Sequence, residues 1–469
     1  MTDRDSTGKP QALGYEARRI LERVEVEGID LIRFLYVDHG GVIRGKAASR
    51  PRLAERMRTG IGHTVAMMAM SMLDHLQEVA GMGPVGEIRL VPDPATFVPL
   101  PYAPGAASMI CDLRELDGSP WAACPRTFLK DAVAELEAEG YAMIAAFEPE
   151  FTLGRRLPDP AGGPDRLVPI DDSLCYATTG FDQAHDFAIK LVRTLQSQGL
   201  GVEHYYPELG HGQQELSIRY APALFAADRQ VIYRETVRGV ALRMAMWASL
   251  APKPIPDQAG NGCHLHVSLW DRKHQHNLFS DASDRYGLSP LAYRFIAGVR
   301  HHLPALVALT CGTVNSYRRL APRMWASAYN CYGMDNREAP IRICSPMAGS
   351  VAASTNLEIK PSDSSANPYL SLGAVIHAGL DGIRRGLDPG EAVDVDPATL
   401  SEAERTRLGA HRLPATLDEA LDALEADELL MEALGPLRRN AYLAVKRSEA
   451  KDFAAEDAAF EAFHHFRVF

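Results

Sequence analysis

The sequence has no lysine- or arginine-rich run, and its formal net charge is −11. Nucleic acid and anionic membrane surfaces are therefore not expected as its main partners. It has no apolar run of about eighteen residues, which argues against a membrane-spanning helix, and its polar N-terminus lacks the apolar segment of a signal peptide. The seven cysteines form no CxxC pair, so we expect a reducing, cytoplasmic location rather than a disulfide framework or a zinc ribbon.

Two common phosphate-handling signatures are also missing. The sequence has no GxxxxGK[ST] motif and no kinase HRD or DFG set, which excludes a P-loop enzyme and a protein kinase. An apolar content of 46% and a charged content of 23% are ordinary for a globular protein. A chain of 469 residues is too long for one compact core, so two domains are predicted.

The sequence does contain a cluster of five prolines between residues 92 and 104. Prolines interrupt regular structure, and we place a domain boundary just after them. The pattern then predicts that residues 109–113 begin the second domain as a strand, that 154–172 form a loop, and that 222–250 form a helix. The predicted division is a flexible tail (1–12), an N-terminal domain (13–107) and a larger second domain (108–469).

The most regular alternation lies in residues 261–269. Apolar residues alternate there with His264, His266 and Ser268, and a period of two places these three side chains on one face of a β-strand. Because histidine is the commonest metal ligand among side chains, this face is either part of a metal site or a solvated polar face.

Four glutamates lie in two further short motifs. Glu148 and Glu150 share one face of a predicted strand with aromatic neighbours, and adjacent carboxylates repel unless a positive group lies between them. Glu208 and Glu215 flank a glycine-containing turn, which lets the chain fold back so that both carboxylates can reach one point. A solvated strand edge and a plain hairpin with polar ends are the alternatives.

A third group combines acids with cations. Glu358 and Lys360 share one face of an alternating segment, which an ordinary surface ion pair would also explain. Arginine suits bidentate recognition of phosphate or carboxylate, although surface arginines are the alternative here too. The four arginines concerned are Arg318, Arg319, Arg337 and Arg342.

These groups together favour one chemistry. Carboxylates accompanied by only one or two imidazoles suit Mg²⁺ or Mn²⁺ better than structural zinc. Divalent ions beside arginines suit phosphoryl transfer, in which catalysis is mostly positioning and neutralisation of charge.

The order of the motifs resembles the glutamine synthetase superfamily, bacterial type I-like, over nearly the whole chain. Within it, the sequence is most similar to the γ-glutamylamide synthetase (glutamate–amine ligase) branch. Each motif alone is weak, whereas six in the same order are specific. They are FEPEF (147–151), E-x6-E (208–215), GNGCHLHVSL (260–269), NSYRRL (315–320), NR-x4-R (336–342) and EIKPSDSSANPYL (358–370).

The resemblance implies an α+β fold. It implies a small β-grasp-like N-terminal domain and a large catalytic domain in which helices flank a curved antiparallel sheet. It also implies self-association into rings, commonly a dodecamer, with active sites between subunits. ATP and two or three Mg²⁺ or Mn²⁺ ions per active site are the implied cofactors, and glutamate and a nitrogen nucleophile are the implied substrates.

The resemblance also assigns roles by position. Arg319 would bind the glutamate α-carboxylate, with Gly260 in the loop beside it. One metal ion would take Glu150, Glu208 and Glu215, and another Glu148, His264 and Glu358. Arg337 and Arg342 would face the phosphates, and His266 and Ser268 the nucleotide. Glu150, His264 and Lys360 would also border the substrate, and Arg319, Arg337 and Trp325 are the predicted catalytic residues.

The ammonium pocket departs from the family pattern. Members that use ammonium carry a glutamate in a flap after the Ser-Tyr-Lys-Arg-Leu motif, and this position holds Trp325, which cannot accept a proton. The ammonium-binding aspartate of the family has no clear counterpart, since the matching region is the Met-rich segment 65–73 and Asp74 is the nearest acid. A family arginine is replaced by Lys360, which keeps the charge without the planar fork.

We therefore expect an ATP-dependent ligase that converts glutamate to γ-glutamyl phosphate and transfers it to an organic primary amine. The scarcity of acids predicted near the pocket favours monoamines over long polycations. A glutamine synthetase that uses ammonium, and a non-catalytic or regulatory relative, are the alternatives.

Overall fold

The structure, a computed structural model, describes residues 14–158 and 166–469. The predicted flexible tail, 1–12, lies outside the described residues. The strands are β1 (Leu31–Val37), β2 (Ile43–Ser49), β3 (Ile61–Thr64), β4 (Glu87–Pro92), β5 (Val98–Pro99), β6 (Ala106–Arg114), β7 (Tyr141–Leu157), β8 (Arg166–Pro169), β9 (Val202–Pro207), β10 (Gln213–Ile218), β11 (Ala221–Pro222), β12 (Trp247–Ser249), β13 (Cys263–Asp271), β14 (Tyr332–Met334), β15 (Ile341–Ile343) and β16 (Leu357–Ile359).

Helices account for most of the remaining regular structure. Within the described ranges, none of them is both long and apolar enough to cross a membrane. They are α1 (Tyr15–Val26), α2 (Leu53–Thr59), α3 (Pro125–Ala138), α4 (Thr178–Ser197), α5 (Ala223–Arg243), α6 (Pro290–Thr310), α7 (Ser316–Arg319), α8 (Val351–Ser354), α9 (Pro368–Arg385), α10 (Glu402–Arg407), α11 (Leu417–Glu425), α12 (Glu428–Leu434), α13 (Pro436–Ala454) and α14 (Ala458–Val468).

The N-terminal sheet has the strand order β2-β1-β6-β4-β3, with β5 added to β6. Strands β1 and β6 are parallel, and the other neighbours are antiparallel. Helix α1 packs Ala17, Ile20 and Val24 into the core of this sheet. Residues 109–113 therefore belong to the N-terminal sheet rather than beginning the second domain, because β6 pairs with β1 and β4. The domain limits themselves stay a prediction.

The larger sheet has the strand order β14-β15-β16-β13-β7-β10-β9, and the short strands β8, β11 and β12 also pair with β7. Neighbours are antiparallel except for the parallel pair β14 and β15. Helices α3 and α5 pack against β7, and α6 packs along α9. The predicted α+β fold, with an N-terminal β domain and a larger domain in which helices flank a sheet, is confirmed.

Two local predictions are wrong. Residues 154–157 continue β7 and pair with β8, although the composition of 154–172 predicts a loop. The predicted helix 222–250 ends with α5, because Ala245 takes a left-handed φ of 55°. The chain then forms β12, which satisfies its backbone hydrogen bonds on β7.

Helix α13 connects the end of the chain to the N-terminal domain. Lys446 and Glu449 form a buried ion pair at 2.8 Å. Lys446 Nζ also donates to the carbonyl of Gly40 at 3.1 Å, and Glu449 Oε1 accepts the backbone N–H of Met72, 377 residues earlier, at 2.7 Å. Ala441 packs within the N-terminal core. The N-terminal core is thus completed by the C-terminal helices.

Candidate active site

Strand β13 lies between β7 and β16 and sets the geometry of the site. His264 lies opposite Glu148 of β7, and His266 lies opposite Glu358 of β16. The alternate residues of β13, Cys263, Leu265, Val267 and Leu269, are buried in the core. Burial of that apolar face fixes the strand register, and the polar face of β13 therefore meets the polar faces of its neighbours.

Glu148, His264 and Glu358 form the tightest group of potential metal ligands, the first cluster. One ligand atom from each lies within 4.8 Å of the others. His264 Nδ1 is 3.0 Å from Glu358 Oε1 and 3.8 Å from Glu148 Oε2. Burial favours the neutral carboxyls, but His264 and His266 hold the pKa of Glu148 well below its ordinary value. Burial also favours the neutral form of Glu358. Lys360 and His264 nevertheless hold the pKa of Glu358 well below its ordinary value.

The other three predicted metal ligands form a wider group. Glu150 and Glu215 are register partners across β7 and β10, and Glu208 precedes the turn that leads into β10. Among the described residues, only the first cluster meets the 4.8 Å spacing. Burial, together with the charges of Glu148 and Glu150, raises the pKa of Glu215 to about 10. Burial and the charge of Glu150 also raise the pKa of Glu208.

This electrostatic pattern fits divalent cations. Burial and the charges of nearby glutamates raise the pKa of Glu215, so the protein alone favours its protonation. A cation would remove that penalty, because an opposite charge stabilises the ionised form. Carboxylate oxygens with a single imidazole are a donor set suited to Mg²⁺ or Mn²⁺. The residues present therefore fit the implied ions.

His266, Ser268 and Glu148 line a cavity of about 410 Å³. His266 Nε2 is 3.2 Å from Glu148 Oε2, and its Nδ1 is 2.9 Å from Asn356 Oδ1. Because the Asn356 amide donates to the carbonyl of Ser354 at 2.9 Å, its oxygen faces the ring, and His266 Nδ1 is the donor. Because Glu148 is among its lining residues, the cavity borders the first cluster, and its volume is large enough for a small ligand.

Arg319 and Gly260 lie in contact. Arg319 is buried, and its Nη2 donates to the carbonyls of Ser362 and Lys360 at 2.9 and 3.4 Å. Its Nε is buried without a hydrogen-bond partner in the described part of the chain. A Cβ at Gly260 would lie 2.4 Å from the carbonyl of Pro252 and 2.9 Å from Arg319 Cγ. Only glycine therefore lets the loop approach this arginine so closely.

The remaining predicted cations differ in their surroundings. Arg342 Nε is paired with Glu358 Oε2, and Lys360 Nζ lies 3.6 Å from Glu358 Oε1. Arg337 is exposed and forms no ion pair or hydrogen bond with any described residue. Among these predicted cations, Arg337 is consequently the one without a partner in the described part of the chain, whereas Arg342 and Lys360 neutralise a candidate metal ligand.

The two residues of the altered ammonium pocket, Trp325 and Asp74, are both exposed in this chain. Trp325 is 64% exposed and takes a left-handed φ of 55°. Asp74 is exposed, and its carboxylate accepts a hydrogen bond from Arg44 at 2.9 Å. The structure does not bring Asp74 to the first cluster within this chain.

Comparison with known families decides the identity. A model described as "Glutamine synthetase, catalytic domain" matches residues 122–464, and one described as "Glutamine synthetase N-terminal domain" matches residues 15–121. The chain belongs to the glutamine synthetase family. The predicted resemblance to this superfamily is confirmed.

Similar proteins within the glutamine synthetase family carry two kinds of name. Gamma-glutamylpolyamine synthetase GlnA3 of Streptomyces coelicolor is 37% identical over 426 residues, which cover 90% of each chain. A glutamine synthetase of Halobacterium salinarum is 34% identical over 476 residues, covering 100% of each chain. A glutamate–methylamine ligase of Methyloversatilis universalis is 34% identical over 439 residues, covering 90% of this chain and 92% of its own. Identity alone therefore does not separate the two kinds of nitrogen substrate.

Solved structures of the family have the same fold. A crystal structure described as a novel glutamine synthase homolog has a TM-score of 0.83 at 34% identity and covers 94% of this chain and 99% of its own. A complex described as GmaS/ADP has a TM-score of 0.81 at 30% identity and covers 94% and 97%.

Sequence reasoning missed the residues that support the glutamate clusters in this member of the glutamine synthetase family. Tyr206 donates from its hydroxyl to Glu215 Oε1, and it lies directly opposite Glu215 in the pairing of β9 with β10. Gln213 Nε2 donates to Glu150 Oε2 at 2.6 Å and to the carbonyl of Gly260 at 3.0 Å. The hairpin pattern around residues 208–215 is the signal that could have identified Tyr206, because a hairpin places residues on either side of its turn opposite each other.

Proposed function

We propose that this protein is an ATP-dependent ligase that activates the side chain of glutamate as γ-glutamyl phosphate and transfers the γ-glutamyl group to an organic primary amine. This proposal rests on the contrast between a complete carboxylate–imidazole cluster and a flap position, Trp325, that has no acid. Two of the similar proteins are named as a gamma-glutamylpolyamine synthetase and a glutamate–methylamine ligase, which supports the amine.

Divalent ions are part of the proposal. Glu148, His264 and Glu358 would hold one ion, and Glu150, Glu208 and Glu215 another. Bound Mg²⁺ or Mn²⁺ would supply neutralisation of the charge that the phosphate oxygens carry during transfer. The raised pKa of Glu215 supports this assignment, because the protein alone does not balance the negative charges there.

The chain's own residues account for substrate positioning. The buried Nε of Arg319, which has no partner among the described residues, suits a carboxylate ligand, since a guanidinium binds carboxylates through two parallel hydrogen bonds. Arg337 is exposed and unpaired within the described chain, so it is available to the transferring phosphoryl group. The cavity lined by His266 and Ser268 suits the nucleotide, and the GmaS/ADP complex supports nucleotide binding in this fold.

The order of steps follows from carboxylate chemistry. A carboxylate is a poor acyl donor, so its oxygen first attacks the γ-phosphorus of ATP, and ADP leaves. Arginines placed around the transferring group stabilise charge that develops there. The amine nitrogen then attacks the acyl carbon, the bond from that carbon to the phosphate oxygen breaks, and phosphate leaves as the amide forms. Exclusion of water protects the acyl phosphate from hydrolysis.

The choice of nucleophile rests on the flap. A carboxylate at position 325 would attract ammonium and accept its proton, whereas the indole of Trp325 offers an apolar surface and can stack on a cation or a ring. An organic amine gains from an apolar surface, and ammonium does not. We therefore favour an amine over ammonium as the acceptor.

A second candidate is a glutamine synthetase that uses ammonium. The Halobacterium salinarum glutamine synthetase, which matches along its whole length, is the observation that favours it. A non-catalytic relative is disfavoured, because the glutamate and histidine positions of both predicted metal sets are all occupied by ligand-type residues.

Assembly and location belong to the same proposal. We propose rings of subunits, commonly a dodecamer, with active sites between neighbours, and a cytoplasmic location. Mass measurement of the native assembly tests the oligomeric state.

The function is tested with an amine panel. Phosphate release from ATP is measured with glutamate and, in turn, ammonium, methylamine, ethanolamine, putrescine and aniline, and the product mass is determined. The proposal expects at least one organic amine to exceed ammonium in kcat/KM. The variant Trp325→Glu is expected to shift the preference toward ammonium, and a wild-type preference for ammonium would overturn the assignment.

A further inference from the structure

The flap that carries Trp325 has an unusual backbone. Arg323, Trp325 and Ser327 take left-handed φ angles of 61°, 55° and 68°. Residues with a Cβ adopt this region only at a cost in energy, so contacts from outside the flap must hold it. One such contact comes from Glu338, whose Oε1 accepts the backbone N–H of Trp325 at 2.8 Å.

The backbone beneath Glu338 is held firmly. Asn336 Oδ1 accepts the N–H of Glu338 at 3.0 Å, and the same amide donates to the carbonyls of Val393 and Val395 at 2.6 and 2.9 Å. Two residues further on, Pro340 accepts the N–H of Lys360 at 2.9 Å. Glu338 is therefore fixed between the flap and the strand end that bears Lys360.

Lys360 is the cation that acts on the charge of Glu338, and it forms no ion pair with that carboxylate. In the described part of the chain its carboxylate contacts the flap backbone and forms no ion pair within 4 Å. The charged side chains that face it are Lys360, which already pairs with Glu358, and Asp396, which repels it. The side chain is only half-buried, so a small cation from solvent can reach it.

We infer that Glu338 is the carboxylate that binds the ammonium form of the acceptor and takes its proton, in place of the acid that the flap lacks at Trp325. The inference rests on the proposed amine-ligase function. It names alkylammonium ions as the acceptor class, because a carboxylate attracts a cationic amine and gives no advantage to a neutral arylamine. Burial, opposed by the hydrogen bond from Trp325, raises the pKa of Glu338, which makes it a stronger base than an exposed glutamate.

The proposed step transfers one proton to Glu338 and forms one C–N bond. One proton of R–NH₃⁺ passes to the Glu338 carboxylate and leaves R–NH₂. The nitrogen lone pair forms the C–N bond to the acyl carbon of γ-glutamyl phosphate, and the C–O bond to phosphate breaks. The second nitrogen proton leaves with the phosphate as HPO₄²⁻, and Glu338 returns its own proton to solvent.

The test compares Glu338→Gln with the wild type, using cationic and neutral nucleophiles. Glutamine keeps an oxygen that accepts the Trp325 N–H, so the flap contact is preserved and only the charge is lost. Methylamine and ammonium are cations at neutral pH, whereas hydroxylamine is largely uncharged. We expect kcat/KM for methylamine to fall by about 10²-fold or more, as for loss of a general base, and the hydroxylamine rate to stay unchanged.

The controls distinguish a role of Glu338 in proton transfer from a general loss of activity. Glu391→Gln, which removes an exposed carboxylate paired with Arg407, is expected to leave all rates unchanged. Equal losses with methylamine and hydroxylamine, or no loss with either, overturn the role of Glu338. If the wild type uses ammonium but no organic amine, the proposed function fails while Glu338→Gln still tests proton transfer with ammonium. Absence of turnover with every nucleophile overturns both.

Discussion

Arg342 and Glu358 are register partners across β15 and β16, and the guanidinium Nε of Arg342 is paired with Oε2 of the carboxylate. Glu358 is 1% exposed. The family resemblance predicts that Arg342 contacts phosphate. In the protein without ligands, Arg342 instead neutralises Glu358, a candidate metal ligand. A metal ion would take over that task and leave the arginine available to the phosphate.

The first prediction concerns this pair. Arg342→Gln leaves a buried carboxylate with less compensation, and breaking a buried pair typically costs about 3 kcal/mol or more. We expect a loss of that order in the free energy of unfolding by urea without divalent ions, and partial recovery with Mg²⁺. Arg407→Gln is the control, because its exposed pair with Glu391 contributes at most about 1 kcal/mol. Equal effects of the two variants would contradict the prediction.

The second prediction concerns metal removal. Glu215 is disfavoured as an anion in the metal-free protein, since burial and the charges of Glu148 and Glu150 raise its pKa to about 10. Glu215→Gln should therefore unfold at a higher temperature than the wild type in chelator. In Mg²⁺ the order should reverse, because the amide is a weaker ligand than the carboxylate. Calorimetry measures both conditions, with the exposed Glu22→Gln as the control; an unchanged order in Mg²⁺ counts against Glu215 as a ligand.

The third prediction concerns the loop beside Arg319. Gly260→Ala places a Cβ 2.9 Å from Arg319 Cγ and 2.4 Å from a backbone carbonyl, so the arginine must shift. A displacement of about 1 Å in a positioning group can cost about 10²-fold in rate, and we expect a loss of this size in kcat/KM for glutamate. Gly201→Ala is the matched control, because its Cβ would meet only Arg219 Cβ, at 3.5 Å. A fully active Gly260→Ala enzyme would refute the close-approach argument.

The fourth prediction concerns acid stability. His63 is buried against the ring of Tyr36 at 4.9 Å, and neither ring nitrogen has a partner among the described residues. Burial, with Lys46 and Arg44, lowers the pKa of His63 to about 4. Between the ordinary pKa of about 6.5 and pH 4, the unfolded chain binds a proton that the folded chain does not, so stability falls as the pH falls.

His63→Phe removes this proton uptake while keeping the ring contact. We expect the free energy of unfolding of the variant to decline less than that of the wild type between pH 6.5 and pH 4. Urea unfolding at several pH values measures the difference. The exposed His276→Phe is the control, and parallel curves for wild type and His63→Phe would exclude His63 as the source.

Much of the site was predictable because its residues lie in alternating segments. The alternation in β13 places His264 and His266 on one face of the strand. Burial of the opposite, apolar face determines that this polar face points toward the site. What the pattern does not carry is pairing between distant strands. The meeting of His264 with Glu148, and of Arg342 with Glu358, depends on the register of strands far apart in the chain.

Other features were missed because tertiary contacts override local preference. Residues 247–249 follow a helix and read as its continuation, yet the left-handed Ala245 and the free edge of β7 turn them into β12. Glu338 does not lie in a segment of alternating polar and apolar residues, so no sequence pattern identifies it. Its proposed role depends on a contact with Trp325, thirteen residues earlier. The six motifs predicted the family because their order, rather than any local geometry, is specific.

The contact between Glu449 and Met72 has a consequence for synthesis of the protein. The backbone N–H of Met72 is bonded by a carboxylate 377 residues later in the chain, and Ala441 packs within the core of the N-terminal domain. At translation rates of about 5–20 residues per second, the gap lasts roughly 20–75 s. The first domain to leave the ribosome is therefore among the last to close its core, and the window in which it is exposed to chaperones is set by the length of the catalytic domain.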